Sequence, residues 1–425
     1  MLALAAPALA VKYSVSILQP AGFTYSAGTG NTSTNQVGYG STIGSQNHAL
    51  LWSGSAASAV DLNPFGYASS DANAIAGTRQ AGEGVLTGGS QPHALLWNGT
   101  AASAVDLNPL NYEASSASGI STFTQVGSGF SSTLTNSNTH ALLWTGSAAS
   151  AVDLNPTGFL SSRALGATST NQIGQAKTAA NQTHAILWAN TAASAVDLQP
   201  AGYGNTFGTA LSGNNQVGYG SPTSGGNIHA LLWHGTAATV VDLNPSGFTT
   251  SFANAVNGNT EVGSGTFFTT VSNTHALLWT GSAATAVDLQ QYITDELGSN
   301  FTGSEANGIA DNGAIVGRVT DASFISYAVI WKPETGVLGD YNNNGVVDMA
   351  DYVRWRNGSP LFNEVATLGT NTSQDYTEWR NRFSNTSGSG ASNLSATTVP
   401  EPTSLALLTC ALLVSCKRRS TRSPL

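Results

Sequence analysis

Apolar positions recur along this chain in short runs, and the runs themselves recur. From about Lys12 to Lys332 one unit of about 45 residues is written seven times. A copy reads QVGYG from Gln36, HALLW from His48 and AVDLNP around Asp61. A weaker Ala-rich run such as 72–76 makes a fourth extended segment. In HALLW the alternation puts His48, Leu50 and Trp52 on one face and Ala49 and Leu51 on the other. Both faces are apolar, as expected of a strand held between neighbouring sheets. Asn63-Pro64 and Gly66-Tyr67 supply turn chemistry after the third run.

The spacing is regular. The motif histidine falls at His48, His93, His140, His184, His229 and His275, and a seventh copy, YAVIW, carries Tyr327 instead. Successive histidines are 44 to 47 residues apart. Length variation collects between the Gln-Val-Gly-like run and HALLW, so that segment is the adjustable loop. Four short strands per unit predict a propeller blade. The seventh unit stops at Trp331-Lys332-Pro333 without its third run, and VSILQPAGF at 15–23 matches the missing piece. The expected fold is therefore all-β, a seven-bladed β-propeller closed by an N-terminal strand over residues 12–335, with an open β-solenoid as the alternative. The seven repeat tryptophans are expected between blades, rather than on an exposed platform for sugars.

Six of the seven tryptophans (Trp52, Trp97, Trp144, Trp188, Trp233 and Trp279) are followed nine residues later by an aspartate: Asp61, Asp106, Asp153, Asp197, Asp242 and Asp288. Groups present once per blade lie on a ring, too far apart to converge on one metal. In the composite last blade both members are lost, histidine to Tyr327 and aspartate to Ile17. Their joint loss predicts a structural His–Asp hydrogen bond tying two strands in each of the other blades. The unit resembles the HAF family of extracellular repeats, whose His-Ala-Phe core stands here as His-Ala-Leu. The resemblance spans roughly residues 12–335; it implies a secreted β-repeat protein and supplies no activity.

Composition narrows the partners. Charged residues are only 9% of the chain and the net charge is −9, which excludes a nucleic-acid partner needing clustered Lys and Arg. Both cysteines, Cys410 and Cys416, fall in the apolar tail, so no disulfide supports the repeats. The opening MLALAAPALA (residues 1–11 with Val11) reads as the remnant of a signal peptide ending in a small-x-small pattern, or as a plain hydrophobic leader.

After Gly339 the character changes to DYNNNGVVDMADYVRWR. Asp340, Asn342, Asn344, Gly345, Asp348 and Asp351 stand at positions 1, 3, 5, 6, 9 and 12 of a calcium loop, and Val346 offers its carbonyl at position 7. These oxygens predict one calcium ion as cofactor; the plain alternative is an Asx-turn-rich linker that caps the next helix. Residues 336–384 resemble a type I dockerin segment, small and α-helical. Tyr376, Trp379 and Phe383 share one helical face and are expected to pack on Tyr352 and Trp355. Residues 364–374 lack the second set of ligands, so the cohesin partner that the resemblance implies loses half its surface, and a stabilising spacer is an equal reading.

Residues 385–398 read as a flexible linker. Val399, Pro400, Glu401 and Pro402 then precede an apolar run at 403–416 and the basic Lys417, Arg418 and Arg419. That run is short for a spanning helix, and the basic stop places the body outside. The order resembles a PEP-CTERM sorting signal (399–425, with a short transmembrane helix), which implies a membrane exosortase-type sorting enzyme as partner. An uncleaved tail anchor gives the same topology; mass spectrometry of the mature protein separates the two. The implied location is the cell surface, outer membrane or extracellular matrix, with transient inner-membrane anchoring by the C-terminal hydrophobic helix.

Acids outside the repeated aspartates are scattered singly, and no nucleophile elbow, zinc-protease helix or phosphate loop occurs. Near-identical blades also argue against one specialised site. The sequence thus predicts an exported, non-catalytic surface or matrix protein whose propeller binds a polysaccharide or protein, or serves structurally. The alternatives are a polysaccharide-degrading propeller enzyme and a dockerin-mediated assembly component.

Overall fold

The computed structural model describes residues 12–385, apart from 43–45, 134–138, 224, 268–272, 335, 343, 360, 362 and 364–370. The chain separates into two compact units, residues 12–333 and a second one from Glu334 onward.

The first unit is a seven-bladed β-propeller of seven four-stranded antiparallel sheets. Blade 1 runs from an inner strand, Phe23–Asn31, through Gln36–Thr42 and Asn47–Trp52 to an outer strand of two residues, Val60–Asp61. The weakly apolar Ala-rich run proves to be the innermost and longest strand. Small residues are needed there because neighbouring inner strands crowd together near the axis. A Cβ on Gly308 of blade 7 would lie 3.0 Å from the Gly30 Cα of blade 1, and one on Gly166 of blade 4 would lie 3.1 Å from the Ala210 Cα of blade 5. Thr29 donates to the Ala72 carbonyl at 2.7 Å, Asn73 to Ala117, Thr209 to Ala253, Asn254 to Ala306, and Asn307 back to Gly28. These side chains link inner strands around the axis.

The Gly of each Gln-Val-Gly run has one cause. Inner strands carry a β-bulge opposite it, between Ala72 and Ala74 in blade 2 for example. A Cβ at Gly82 would meet the Asp71 carbonyl at 2.0 Å, inside any real contact.

Closure follows the register that the sequence implies. Tyr13–Ile17 pairs antiparallel with Ser326–Pro333, Val15 opposite Trp331 and Ile17 opposite Val329. Ile17 thus takes the place that Asp61 holds opposite Leu50 in blade 1. The apolar core is divided into clusters, one between each pair of successive blades. Between blades 1 and 2 it is built from Val37, Ala49, Leu62, Ala72, Leu95 and Trp97. Between blades 7 and 1 it is Leu18, Val316, Ala328 and Ile330 against Leu50 and Trp52. All seven repeat tryptophans are fully buried. Each removes ~150–250 Å² from water, roughly 4–6 kcal/mol of transfer free energy before entropy is charged against it. One element lies outside the repeat pattern: helix α1 (Gln290–Leu297) replaces the Asn-Pro turn after blade 6 and seats Tyr292 and Ile293 against Tyr13 and Val15.

The second unit holds helices α2 (Met349–Arg356) and α3 (Ser373–Arg382). Each begins in a capping box, Asp348 with Asp351 and Thr372 with Asp375, which satisfies the orphan amides of its first turn. Tyr352, Trp355, Tyr376, Trp379 and Phe383 form one aromatic cluster with ring centroids 5.1–5.9 Å apart. The indole N–H of Trp379 donates to the Asp348 carbonyl and that of Trp355 to Thr372, both at 2.8 Å. No helix among the described residues is long and apolar enough to cross a membrane. The leader 1–11, the linker from 386 on, and the tail with Val399, Pro400, Glu401, Pro402, Lys417, Arg418 and Arg419 lie outside the described residues.

Candidate functional site

The structure brings all six His–Asp pairs together. His48 Nδ1 lies 2.7 Å from Asp61 Oδ2, and the pairs His93–Asp106, His140–Asp153, His184–Asp197, His229–Asp242 and His275–Asp288 measure 2.6–2.8 Å. A carboxylate only accepts, so Nδ1 carries the proton. Each pair belongs to a longer chain of bonds. The second oxygen of Asp61 accepts from Asn63 N–H, Ser70 of the next blade donates to Asn63 Oδ1, and Ser70 Oγ accepts from Ala49 N–H. The aspartate therefore ties its own blade to the following one. Blade 7 manages without the pair, since Tyr327 donates to Asp321 at 3.0 Å. Among the described residues no hydroxyl or thiol hydrogen-bonds the other nitrogen of these six rings, so they are not Ser–His–Asp arrangements. His234 bonds Asn215 at 2.7 Å on the surface.

A different set of residues sets the blades apart. On each blade one cross-strand pair between the inner and second strands, set between recurring small residues, changes its charge and shape from blade to blade. The pairs in order are Ala27 with Tyr39, Asp71 with Glu83, Ser116 with Ser128, Arg163 with Gln175, Phe207 with Tyr219, Phe252 with Ser264, and Glu305 with Arg318. The positions on either side of them on the inner strand are always Ser or Thr before and Gly or Ala after, all buried. The variable side chains are mostly half-buried and Arg163 is exposed. The inner strands of successive blades touch one another, so these pairs stand at equivalent register from blade to blade. Sequence reading missed this ring because it compared blades for what they share; superimposing the seven units for what they do not share would have found it.

The ring divides in two. At the seam between blades 7 and 1 its members satisfy one another: Arg318 holds both oxygens of Glu305, at 2.7 and 3.1 Å, and reaches the Tyr25 hydroxyl at 3.3 Å. Burial alone would lower the Arg318 pKa, but the Glu305 bonds and charge outweigh it and raise it. Tyr25 stacks on Tyr39, whose pKa is pushed up by burial and by its bond to Tyr25. On blades 2 to 6 the members have few partners. Asp71 and Glu83 face each other directly as like charges, an arrangement that destabilises a sheet. Burial pushes Asp71 up to about 6; the Asn47 amide, bonded at 3.0 Å, pulls it down, and Glu83 adds to the rise. Glu83 and Arg163 have no hydrogen-bond partner among the described residues. Phe207 stacks on Tyr219 at 4.8 Å, and Tyr219 meets Phe252 of the next blade edge-on at 5.0 Å.

In the second unit the calcium-loop residues enclose their own backbone. Asp340 accepts from the amides of Asn344 and Gly345, and Asp351 from those of Asn342 and Asp348. Asn342 and Asn344 accept from the amides of Asn344 and Val346. Asp340 and Asp351 are fully buried. Among the described residues no three His, Cys, Asp or Glu side chains gather as a metal site, so an ion here would depend on Asn oxygens and the Val346 carbonyl.

Blades, closing strand and axial ring define the class of the first unit, a closed seven-bladed β-propeller. No family model and no curated protein matches the chain. Among solved structures, the β-propeller domain of the Trilobed protease from Pyrococcus furiosus is 8% identical, with a TM-score of 0.49 over 73% of this chain and 94% of that one. An acylaminoacyl peptidase from Pyrococcus horikoshii is 9% identical, TM-score 0.48, covering 73% of this chain and 52% of its own. TolB from Acinetobacter baumannii is 11% identical, TM-score 0.40, with 64% of each chain covered. This chain thus spans about half the length of the peptidase. Likeness at these identities speaks for the fold alone.

The expectation of an exported, non-catalytic surface or matrix protein has no counterpart among these neighbours, most of which are named as peptidases or hydrolases, and it is withdrawn; the neighbours lend this chain no activity of their own. It rested on the scattered acids, on the missing catalytic motifs and in part on the sameness of the blades, which the variable cross-strand pairs break.

Proposed function

We propose that the propeller recognises an extended polypeptide segment at its axial ring, as the substrate-selecting part of a peptide-handling protein. The observation that carries this reading is one cross-strand pair per blade that changes charge and shape between invariantly small, buried inner-strand neighbours, with Glu83 and Arg163 lacking hydrogen-bond partners among the described residues. Residues that only build blades repeat; residues that meet a ligand of lower symmetry need not. The ring offers carboxylates on blade 2, a guanidinium on blade 4 and aromatics on blades 5 and 6. A neutral polysaccharide has no cation to answer the carboxylates, and a nucleic acid meets a net charge of −9. A polypeptide carries both charges and apolar side chains on one narrow backbone. Blade 3 supplies the control, because Ser116 and Ser128 show that serine fits these positions. A variant with Glu83, Arg163 and Phe252 all changed to Ser keeps the native circular dichroism and loses capture of a biotinylated random decapeptide library. Undiminished capture by the folded variant rejects the reading.

The loop 340–351 supports a second, separate proposal, that the C-terminal unit takes one calcium ion through Asp340, Asn342, Asn344, Val346, Asp348 and Asp351. Its support is the inward wrapping of loop amides onto Asp340 and Asp351, which fixes the carboxylates and leaves further lone pairs for a hard cation. Bound calcium would neutralise the loop's carboxylates. Calorimetric titration of the full chain is expected to show one site in the micromolar-to-millimolar range that Asp340→Ala abolishes. No heat at millimolar calcium removes it.

A further inference from the structure

The arc of the ring on blades 4 to 6 joins two features. One is an unpaired cation: the protein has 14 Lys and Arg among 425 residues, yet Arg163 stands exposed on an inner strand with no partner among the described residues. Arg318, the other ring guanidinium, shows what such a group does when an acid is within reach, for it holds Glu305 with two bonds. The other feature is the aromatic trio Phe207, Tyr219 and Phe252, half-buried and spanning the two following blades. Arg163 and Phe207 occupy the same register on the adjacent inner strands Phe159–Ala167 and Tyr203–Ser212.

We propose that this arc is a subsite for the free C-terminus of a peptide whose last side chain is apolar or aromatic. The terminal carboxylate takes the planar fork of Arg163, and the last side chain lies against Phe207, Tyr219 and Phe252. The proposal rests on the peptide reading above and adds which end of the peptide the ring selects. Charge complementarity favours a terminus over an internal acid. A terminal residue carries its carboxylate and its side chain on one Cα, matching a cation and an aromatic patch on neighbouring strands. An internal Asp or Glu spends its side chain on the charge and leaves the aromatics to another residue. Across the ring, Asp71 and Glu83 on blade 2 repel a carboxylate and so help to fix its direction.

The test compares fluorescent decapeptides ending in Phe with a free carboxylate, ending in Phe amide, and ending in Ser with a free carboxylate, on the full chain. The free Phe acid is expected to bind about tenfold tighter than its amide, the worth of one charge-assisted pair. Arg163→Gln brings binding of the acid down to that of the amide, and Arg163→Lys, which keeps the charge without the fork, retains part of the preference. Phe252→Ser reduces the preference for Phe over Ser without touching the acid–amide difference. Equal binding of acid and amide, or an acid preference that survives Arg163→Gln, overturns the subsite and leaves the peptide reading standing. No binding of any decapeptide overturns both.

Discussion

Glu261 shows how one atom's difference registers in so repetitive a fold. Five other blades have Gln at its position (Gln36, Gln80, Gln125, Gln172 and Gln216), where Oε1 accepts an N–H from the following turn. Glu261 is fully buried and accepts from Gly281 N–H at 2.8 Å, but its second oxygen has no partner among the described residues. Burial raises its pKa against the lowering pull of the Gly281 amide. A carboxyl with a raised folded pKa holds its proton more tightly in the native state. Stability is then complete below the unfolded value and falls as pH rises through the folded one. Glu261→Gln is therefore expected to raise the melting temperature at pH 8 and leave it unchanged at pH 4, read by calorimetry. An equal gain at both pH values would rule out the charge as the cause. At this scale the sequence was partly legible. The paired loss of His and Asp in blade 7 pointed to their bond, but Asn63 and Ser70, which extend it, look like ordinary turn and strand residues until the neighbouring blade is in view.

At the level of elements, the N-terminal strand was the most legible feature, because a truncated seventh unit and a matching opening segment imply each other. Helix α1 was not foreseen. It has no counterpart in other units, and its role is visible only where Tyr292 and Ile293 meet Tyr13 and Val15 beside the closing strand. Blade 7 without Tyr13–Ile17 exposes Trp331 and the free edge of Ser326–Pro333. Deletion of residues 12–19 is expected to shift tryptophan emission to the red and to broaden thermal unfolding, and a synthetic peptide of those residues should restore both. A truncated protein that melts at the native temperature would show that this strand does not lock the ring. The two-residue outer strands were also unforeseen, since the AVDL run has strand composition but gives way at once to the Asn-Pro turn.

For the whole molecule, stability is distributed over interfaces between blades, and function is assigned to the positions where that repetition lapses. Composition, period and turn chemistry sufficed for the architecture, since each reflects a constraint met by every blade. The axial ring answers to no such constraint. On the proposed reading the members on blades 2 to 6 answer to a ligand rather than to the period, so no periodic signal announces them, and only their equivalent register in successive blades groups them. The direct measurement is photo-crosslinking of the full chain with a benzophenone-bearing random decapeptide library, mapped by mass spectrometry. The account predicts adducts on inner and second strands of blades 2 to 6, centred on Arg163, Phe207, Tyr219 and Phe252. Adducts concentrated on the outer strands, or confined to residues 336–385, would contradict it.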